Sequence, residues 1–152
     1  MRHGQVFRTL HHVCIVVRDM DAAVAYYEAI GIGPWHEYPS LRVYERELQV
    51  PDAAAFFGLR FKFANLENVQ IQLCAPPPGN TPQRQFLETR GEGVFHLGFT
   101  VPDIDAAEAA GGALGLKALM RGRSGEGAGF TYFDTADHGA GITLEIRRSN
   151  LT

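Results

Sequence analysis

Two stretches of the chain alternate between apolar and polar residues in the same way. His12–Val17 and His96–Val101 are short apolar runs rich in Val, Ile and Phe, a pattern that suits a β-strand. Each run leads into Asp-x-Asp, and a short carboxylate there can accept the free N–H groups of a first helical turn. Met20, Val24, Tyr27 and Ile30 then recur on one face of a helix, as do Ile104, Ala107, Gly111 and Leu114. Gly31 stands where a left-handed C-cap is expected. Gly111-Gly112 weakens the second helix by about 1 kcal/mol per glycine, so its end is the less defined.

Sliding the sequence along itself by 84 positions superposes these stretches without a gap. Over the fourteen positions from His12 to Ala25, seven are identical to their counterparts from His96 to Ala109. The identities are His12/His96, Val17/Val101, Asp19/Asp103, Asp21/Asp105, Ala22/Ala106, Ala23/Ala107 and Ala25/Ala109, and Gly31 then meets Gly115. We read this as a duplication. Strand patterns follow each helix: Pro34–Tyr38 or Val43–Leu48, then Arg60–Asn65 and Val69–Ala75 in the first copy, and Ala118–Arg121, Phe130–Asp134 and Ile142–Arg147 in the second. Gln49–Gly58 is expected to be an extra loop. The expected organisation is α+β: a βαβββ module over residues 9–76, a linker over 77–93 and a second module over 94–148.

Composition narrows the function. The net charge of −3 and the scattered basic residues give no support for a nucleic-acid partner; Arg121/Arg123 and Arg147/Arg148 do not make a stripe. No apolar run approaches the ~20 residues that cross a bilayer, and nothing near the start reads as a secretory signal. Cys14 and Cys74 are the only cysteines, which leaves no disulfide framework and suggests a reduced, cytoplasmic protein.

The last strand of each copy carries a polar residue between aliphatics, as Ile71-Gln72-Leu73 and Leu144-Glu145-Ile146. Duplication thus puts His12 and His96 in equivalent places, and Gln72 and Glu145 in equivalent places. Two imidazoles, a carboxylate and an amide oxygen make a mixed donor set for one divalent first-row metal such as Co, Ni, Mn, Zn or Fe. Taken singly, each has a plainer reading as a core or strand-end polar residue, and Gln70 competes with Gln72 on the same face. Cys14 and Cys74 share the faces of His12 and Gln72, so with Gln70, Trp35 and His36 they are candidates to line a pocket.

These residues carry a resemblance to the vicinal oxygen chelate superfamily, which includes glyoxalase I, methylmalonyl-CoA epimerase, extradiol dioxygenases and bleomycin-resistance proteins. Leu10-His11-His12-Val13, Gln72-Leu-Cys-Ala-Pro76, Phe95-His96-Leu-Gly-Phe99 and Leu144-Glu145-Ile146 resemble, in order, the four ligand motifs of the epimerase branch. The likeness runs from about Thr9 to Arg148. It implies eight strands in two edge-to-edge modules curled around a metal held by His12, Gln72, His96 and Glu145. It also implies a small-molecule substrate chelated through adjacent oxygens, a homodimer, and proton transfer with Glu145 as the catalytic carboxylate. Departures are visible too. The epimerase pattern has a second carboxylate on the strand before the Gln ligand, whereas Leu59–Ala64 holds no acidic residue. Glu45, Glu47 or His36 would have to substitute. The arginines that glutathione recognition implies have no match, and Arg121 and Arg123 are expected in a Gly-rich loop, either gripping an anion or solvated. The competing functions are an Fe(II) dioxygenase, since two His and one carboxylate suit that chemistry, and a non-catalytic resistance protein.

Overall fold

Hydrophobic alternation and capping produce the elements where the duplicated pattern places them. A computed structural model describes residues 6–149, so the residues at the very start, where a leader would be sought, lie outside the described part. The architecture is α+β, with nine strands and four helices among the described residues. In chain order these are β1 (Thr9–Val16), α1 (Met20–Ala29), β2 (His36–Glu37), β3 (Glu47–Gln49), α2 (Ala53–Phe57), β4 (Arg60–Asn65), β5 (Gln70–Ala75), α3 (Pro82–Arg90), β6 (Gly93–Thr100), α4 (Ile104–Ala113), β7 (Ala118–Arg123), β8 (Gly129–Phe133) and β9 (Thr143–Arg148).

The strands fall into two compact units. One comprises His12–Pro39 and Pro51–Phe95, the other residues 6–11, Ser40–Val50 and residues 96–149. In the first unit the strand order is β2-β4-β5-β1, with β1 parallel to β5 and the other pairs antiparallel. In the second it is β6-β9-β8-β7-β3, with β6 parallel to β9 and the rest antiparallel. Apart from β3, the two units have the same plan, β1/β6, β2/β7, β4/β8 and β5/β9 being counterparts. The repeat seen in the sequence is a repeat of topology.

Each helix starts as its sequence dictates. The Asp19 side chain accepts from the Ala22 N–H, and Asp103 from Ala106, at matching positions of the two copies. Gly31 and Gly115 follow with φ of 94° and 88°, the left-handed conformation that closes a helix at no steric cost to glycine. The face of α1 packs Met20, Val24 and Tyr27 against Val17 and Leu73. The face of α4 packs Ile104 and Ala107 against Val101, Phe133 and Ile146. Ile30 and Leu114, expected on these buried faces, are instead exposed, because each lies one residue past its helix end.

Gly111 does not end α4; the helix runs through it to Ala113. A Cβ at Gly111 would stand 2.6 Å from Phe133 Cζ, so this glycine permits close helix–sheet approach. On helix propensity alone Gly111→Ala would stabilise by about 1 kcal/mol. With Phe133 only 1% exposed and unable to yield, the expected outcome is instead a loss of about 1–3 kcal/mol in urea unfolding.

Four expectations are corrected. Among the described residues there are nine strands rather than eight, because Pro34–Tyr38 and Val43–Leu48 each give a short strand, and the second, β3, pairs with β7. Gln49–Gly58 is not simply a loop: the Asp52 side chain accepts from the Ala55 N–H and starts α2. The linker contains α3, capped by Thr81 with Pro82 in its first turn, where proline's missing N–H costs nothing. Arg121 and Arg123 lie on β7 rather than in a loop. Arg121 Nε donates to Glu108 of α4 at 2.9 Å, while Arg123 donates to Asp105 at 2.8 Å and to Glu108. Burial alone would raise the Glu108 carboxyl, but bonds from Thr131, Arg121 and Arg123 outweigh it and hold the group below the usual carboxylate range. These arginines are neither solvated nor free to take an anion. No helix among the described residues is long and apolar enough to cross a membrane.

Candidate metal centre

Successive side chains of a strand point to opposite faces, so one parity of each strand faces a helix and the other faces away. In the first unit Ile15, Leu73 and Ala75 pack on α1. That leaves His12, Cys14, Gln70, Gln72 and Cys74 on the opposite face. In the second unit Phe133 and Ile146 pack on α4, which leaves His96, Tyr132 and Glu145 on the opposite face.

The registers of the two parallel pairs coincide. Cys14 stands beside Gln72, and its repeat counterpart Gly98 stands beside Glu145. Gln72 and Glu145 are therefore equivalent in space within their own units, while Gln70 is the counterpart of Thr143. Geometry distinguishes Gln70 from Gln72. Gln72 Nε2 donates to Gln70 Oε1 at 2.8 Å, and Gln70 Nε2 donates to Asn65 Oδ1 at 3.0 Å. The Gln72 amide is thus anchored through its nitrogen on Gln70. Such an outer hydrogen bond is the usual means of orienting a metal ligand.

All four proposed ligands are buried; His12 is 1% exposed, His96 0%, Gln72 3% and Glu145 6%. Within the second unit His96 Nε2 lies 3.5 Å from Glu145 Oε1. Tyr132, directly opposite Glu145 on β8, packs its ring 4.9 Å from the His96 imidazole and holds it in place. Glu145 is accordingly not a solvated strand end. A carboxylate taken out of water this far is costly unless a cation or hydrogen bonds compensate it, and a metal ion supplies that compensation directly. The donor set fits a divalent ion: imidazole nitrogens, a carboxylate and an oriented amide oxygen.

The proposed pocket residues divide. Cys14 and Cys74 are fully buried on the ligand face, and burial pushes the Cys74 thiol up, so it stays protonated and is a poor ligand. His36 is exposed and stands opposite Phe63, which in turn stands opposite Gln72, all on one face. Trp35 belongs elsewhere: its indole packs on Tyr27 and donates to Ile32 O within the α1 core. Neither acidic substitute reaches the ligand face from β3 or its approach. Glu47 stands opposite Arg123, on the α4 side of β7, and Glu45 is exposed and pairs with Arg42 at 4.0 Å. The residues missed in the sequence are Phe63 and Tyr132, each directly opposite a proposed oxygen ligand. Their signal was present in Phe61-Lys-Phe63 and Phe130-Thr-Tyr132, an aromatic-x-aromatic pattern in the penultimate strand of both copies.

Comparison with known proteins gives a family and a fold. No curated protein matches the chain. Methylmalonyl-CoA epimerase from Mycobacterium tuberculosis is 24% identical, with a TM-score of 0.70 over 97% of this chain and 91% of that one. A methylmalonyl-CoA epimerase in complex with methylmalonyl-CoA and NH4+ is 23% identical, with a TM-score of 0.72 over 95% and 96%. A single-substitution variant of the Streptomyces coelicolor methylmalonyl-CoA epimerase, in complex with 2-nitronate-propionyl-CoA, gives the same identity, score and coverage. The model of the Glyoxalase/Bleomycin resistance protein/Dioxygenase superfamily matches residues 11–133, which is most of the chain and both copies of the duplicated motif. With the fold, the repeat and the family match in agreement, this chain belongs to the glyoxalase/bleomycin resistance protein/dioxygenase superfamily.

Proposed function

We propose that His12, Gln72, His96 and Glu145 together hold one divalent metal ion, and that the protein is a metal-dependent isomerase or lyase acting by proton transfer. The observation that carries this reading is the coincidence of registers: each unit sets a buried His and a buried oxygen donor at the same two positions. A bound divalent ion would supply Lewis-acid polarisation to two adjacent substrate oxygens, making a neighbouring C–H more acidic. Everything else falls to the chain's own side chains. The amide of Gln72, fixed by Gln70, contributes an oxygen that cannot take up a proton near neutral pH. Glu145 is the one carboxylate of the set, so the proton passes to and from Glu145. Tyr132 and the buried strand faces keep bulk water from that carboxylate. A homodimer is part of the same proposal.

A second reading has its own support. His12, His96 and Glu145 are two imidazoles and one carboxylate, which suits Fe(II) and O2. One experiment separates them. The metal-loaded protein is incubated without oxygen in D2O with 2-oxo acids and acyl thioesters, and α-proton exchange is followed by NMR. Exchange is the expected result. Oxygen uptake with a catechol and Fe(II), in the absence of any exchange, would overturn proton transfer in favour of the dioxygenase.

A further inference from the structure

The ligand face of the first unit continues outward from Gln72 as a row of rings. Gln72 stands opposite Phe63, and Phe63 opposite His36 on the edge strand β2. Directly opposite side chains on antiparallel strands have Cβ atoms about 5 Å apart, so the Phe63 ring is the immediate neighbour of the Gln72 amide. His36 packs its imidazole 5.4 Å from Phe63, and Tyr38 lies 6.1 Å from Phe63 and 5.6 Å from Phe61. The rings meet at angles of 42–84°, which leaves faces as well as edges presented.

The second unit has the counterpart row, and it is closed. Phe130 and Tyr132 are about 5% exposed, and Tyr44 packs on Phe130 at 5.0 Å. In the first unit Phe63 is only half-buried and His36 is exposed. Where the second unit carries the buried Met120 opposite Tyr132, the first carries the exposed His36 opposite Phe63. The two copies have therefore diverged at this row, one becoming core and the other an open aromatic wall.

Charge on β4 points the other way. Arg60 and Lys62 have the opposite parity, on the α1 side, where Arg60 meets Asp21 at 3.4 Å and Lys62 meets Glu37 at 3.5 Å. The wall beside Gln72 is thus built of rings, and the cations of the same strand are engaged behind it.

Resting on the metal reading above, we propose that Phe63 and His36 form the specificity wall of the site, and that the substrate carries an aryl group on one of the two carbons that bear its adjacent oxygens. With those oxygens at the metal beside Gln72, a ring one bond further out lies across Phe63. His36 closes the outer end, where its N–H meets a ring face or a polar ring substituent. Stacked or edge-to-face ring pairs add to simple area burial, so an aryl ligand is preferred over an aliphatic one of like size.

The test uses two 2-oxo acids with the same chelating end, benzoylformate and 3-methyl-2-oxobutanoate, in equilibrium dialysis against the metal-loaded protein. The expected result is a preference of about threefold to tenfold for benzoylformate, from the ring contacts alone. Phe63→Leu and, separately, His36→Leu should each lower that ratio, by weakening benzoylformate more than 3-methyl-2-oxobutanoate, with metal content measured alongside. His36 is exposed, so its replacement does not threaten the fold if Phe63→Leu should. Equal affinities in the wild type, a preference intact in both variants, or no binding of either acid by protein that does hold metal would overturn the aryl proposal and leave the metal reading standing. A wild-type chain that takes up no metal removes the metal reading and the aryl proposal with it.

Discussion

Replacing His96 with alanine is expected to abolish stoichiometric metal binding. His96 is fully buried, its ring packs on Tyr132, and its Nε2 faces Glu145 at 3.5 Å. Losing an orienting outer-sphere partner already costs 10–100-fold in metal affinity; losing the ligand itself should cost at least about 100-fold. The wild-type chain should carry close to one divalent ion by elemental analysis, and His96→Ala close to none, with His12→Ala behaving alike. Thermal unfolding gives a second readout. An ion that binds only the folded state at a hundredfold excess over its Kd stabilises by about 2.7 kcal/mol. For a domain of this size that is a rise in Tm of about 5–10 °C, present in the wild type and absent in His96→Ala. His138→Ala, in an exposed loop, controls for the general loss of an imidazole and should keep both metal and shift. A wild-type protein that takes up none of Co, Ni, Mn, Zn or Fe(II) would sink the metal centre altogether.

The second large effect belongs to Glu145. Changing it to Gln makes the second unit chemically like the first, since Gln72 is its register counterpart. The amide is nearly isosteric and keeps an oxygen toward the ion, so the geometry and part of the metal affinity should be kept. What it removes is the capacity to hold a proton, and exchange of the substrate's α-proton should slow by about 10²–10⁴-fold. The converse change, Gln72→Glu, should keep metal and place a second carboxylate on the first unit's ligand face, where Arg60–Asn65 offers none. Its amide donation to Gln70 is lost in that variant, so its metal content has to be measured alongside its rate. A Glu145→Gln protein that retains its ion and exchanges protons at the wild-type rate would exclude Glu145 as the base.

Much of this protein is written in local pattern. The two strand–Asp-x-Asp–helix stretches have the same spacing, and short-range chemistry is enough to build them. Capping by Asp19 and Asp103 and the left-handed turns at Gly31 and Gly115 need no distant partner. The four ligand candidates were legible for the same reason. Duplication places equivalent residues at equivalent positions, and a polar residue between aliphatics stands out on a buried strand.

Other features depend on pairings far apart in the chain. That Gln72 rather than Gln70 answers to Glu145 is a matter of register, set by how β5 lies against β1 and β9 against β6. Arg121 and Arg123 sit among glycines and read locally as loop, yet strand pairing with β8 and the carboxylates of α4 decide their place. Trp35 and His36 are adjacent in sequence and part company in space: Trp35 joins the α1 core, and His36 pairs on β2 with the ligand face. Gly111 looks like a helix breaker, because propensity counts only the helix, whereas the close approach of Phe133 is what requires it. The sequence by itself determined the repeat, the helix caps and the chemical identity of the four candidate donors, since these rest on local spacing and side-chain chemistry. Tertiary structure alone decided the register, the face each side chain occupies and the open ring wall beside Gln72, because strand pairing joins residues whose contacts no local pattern encodes.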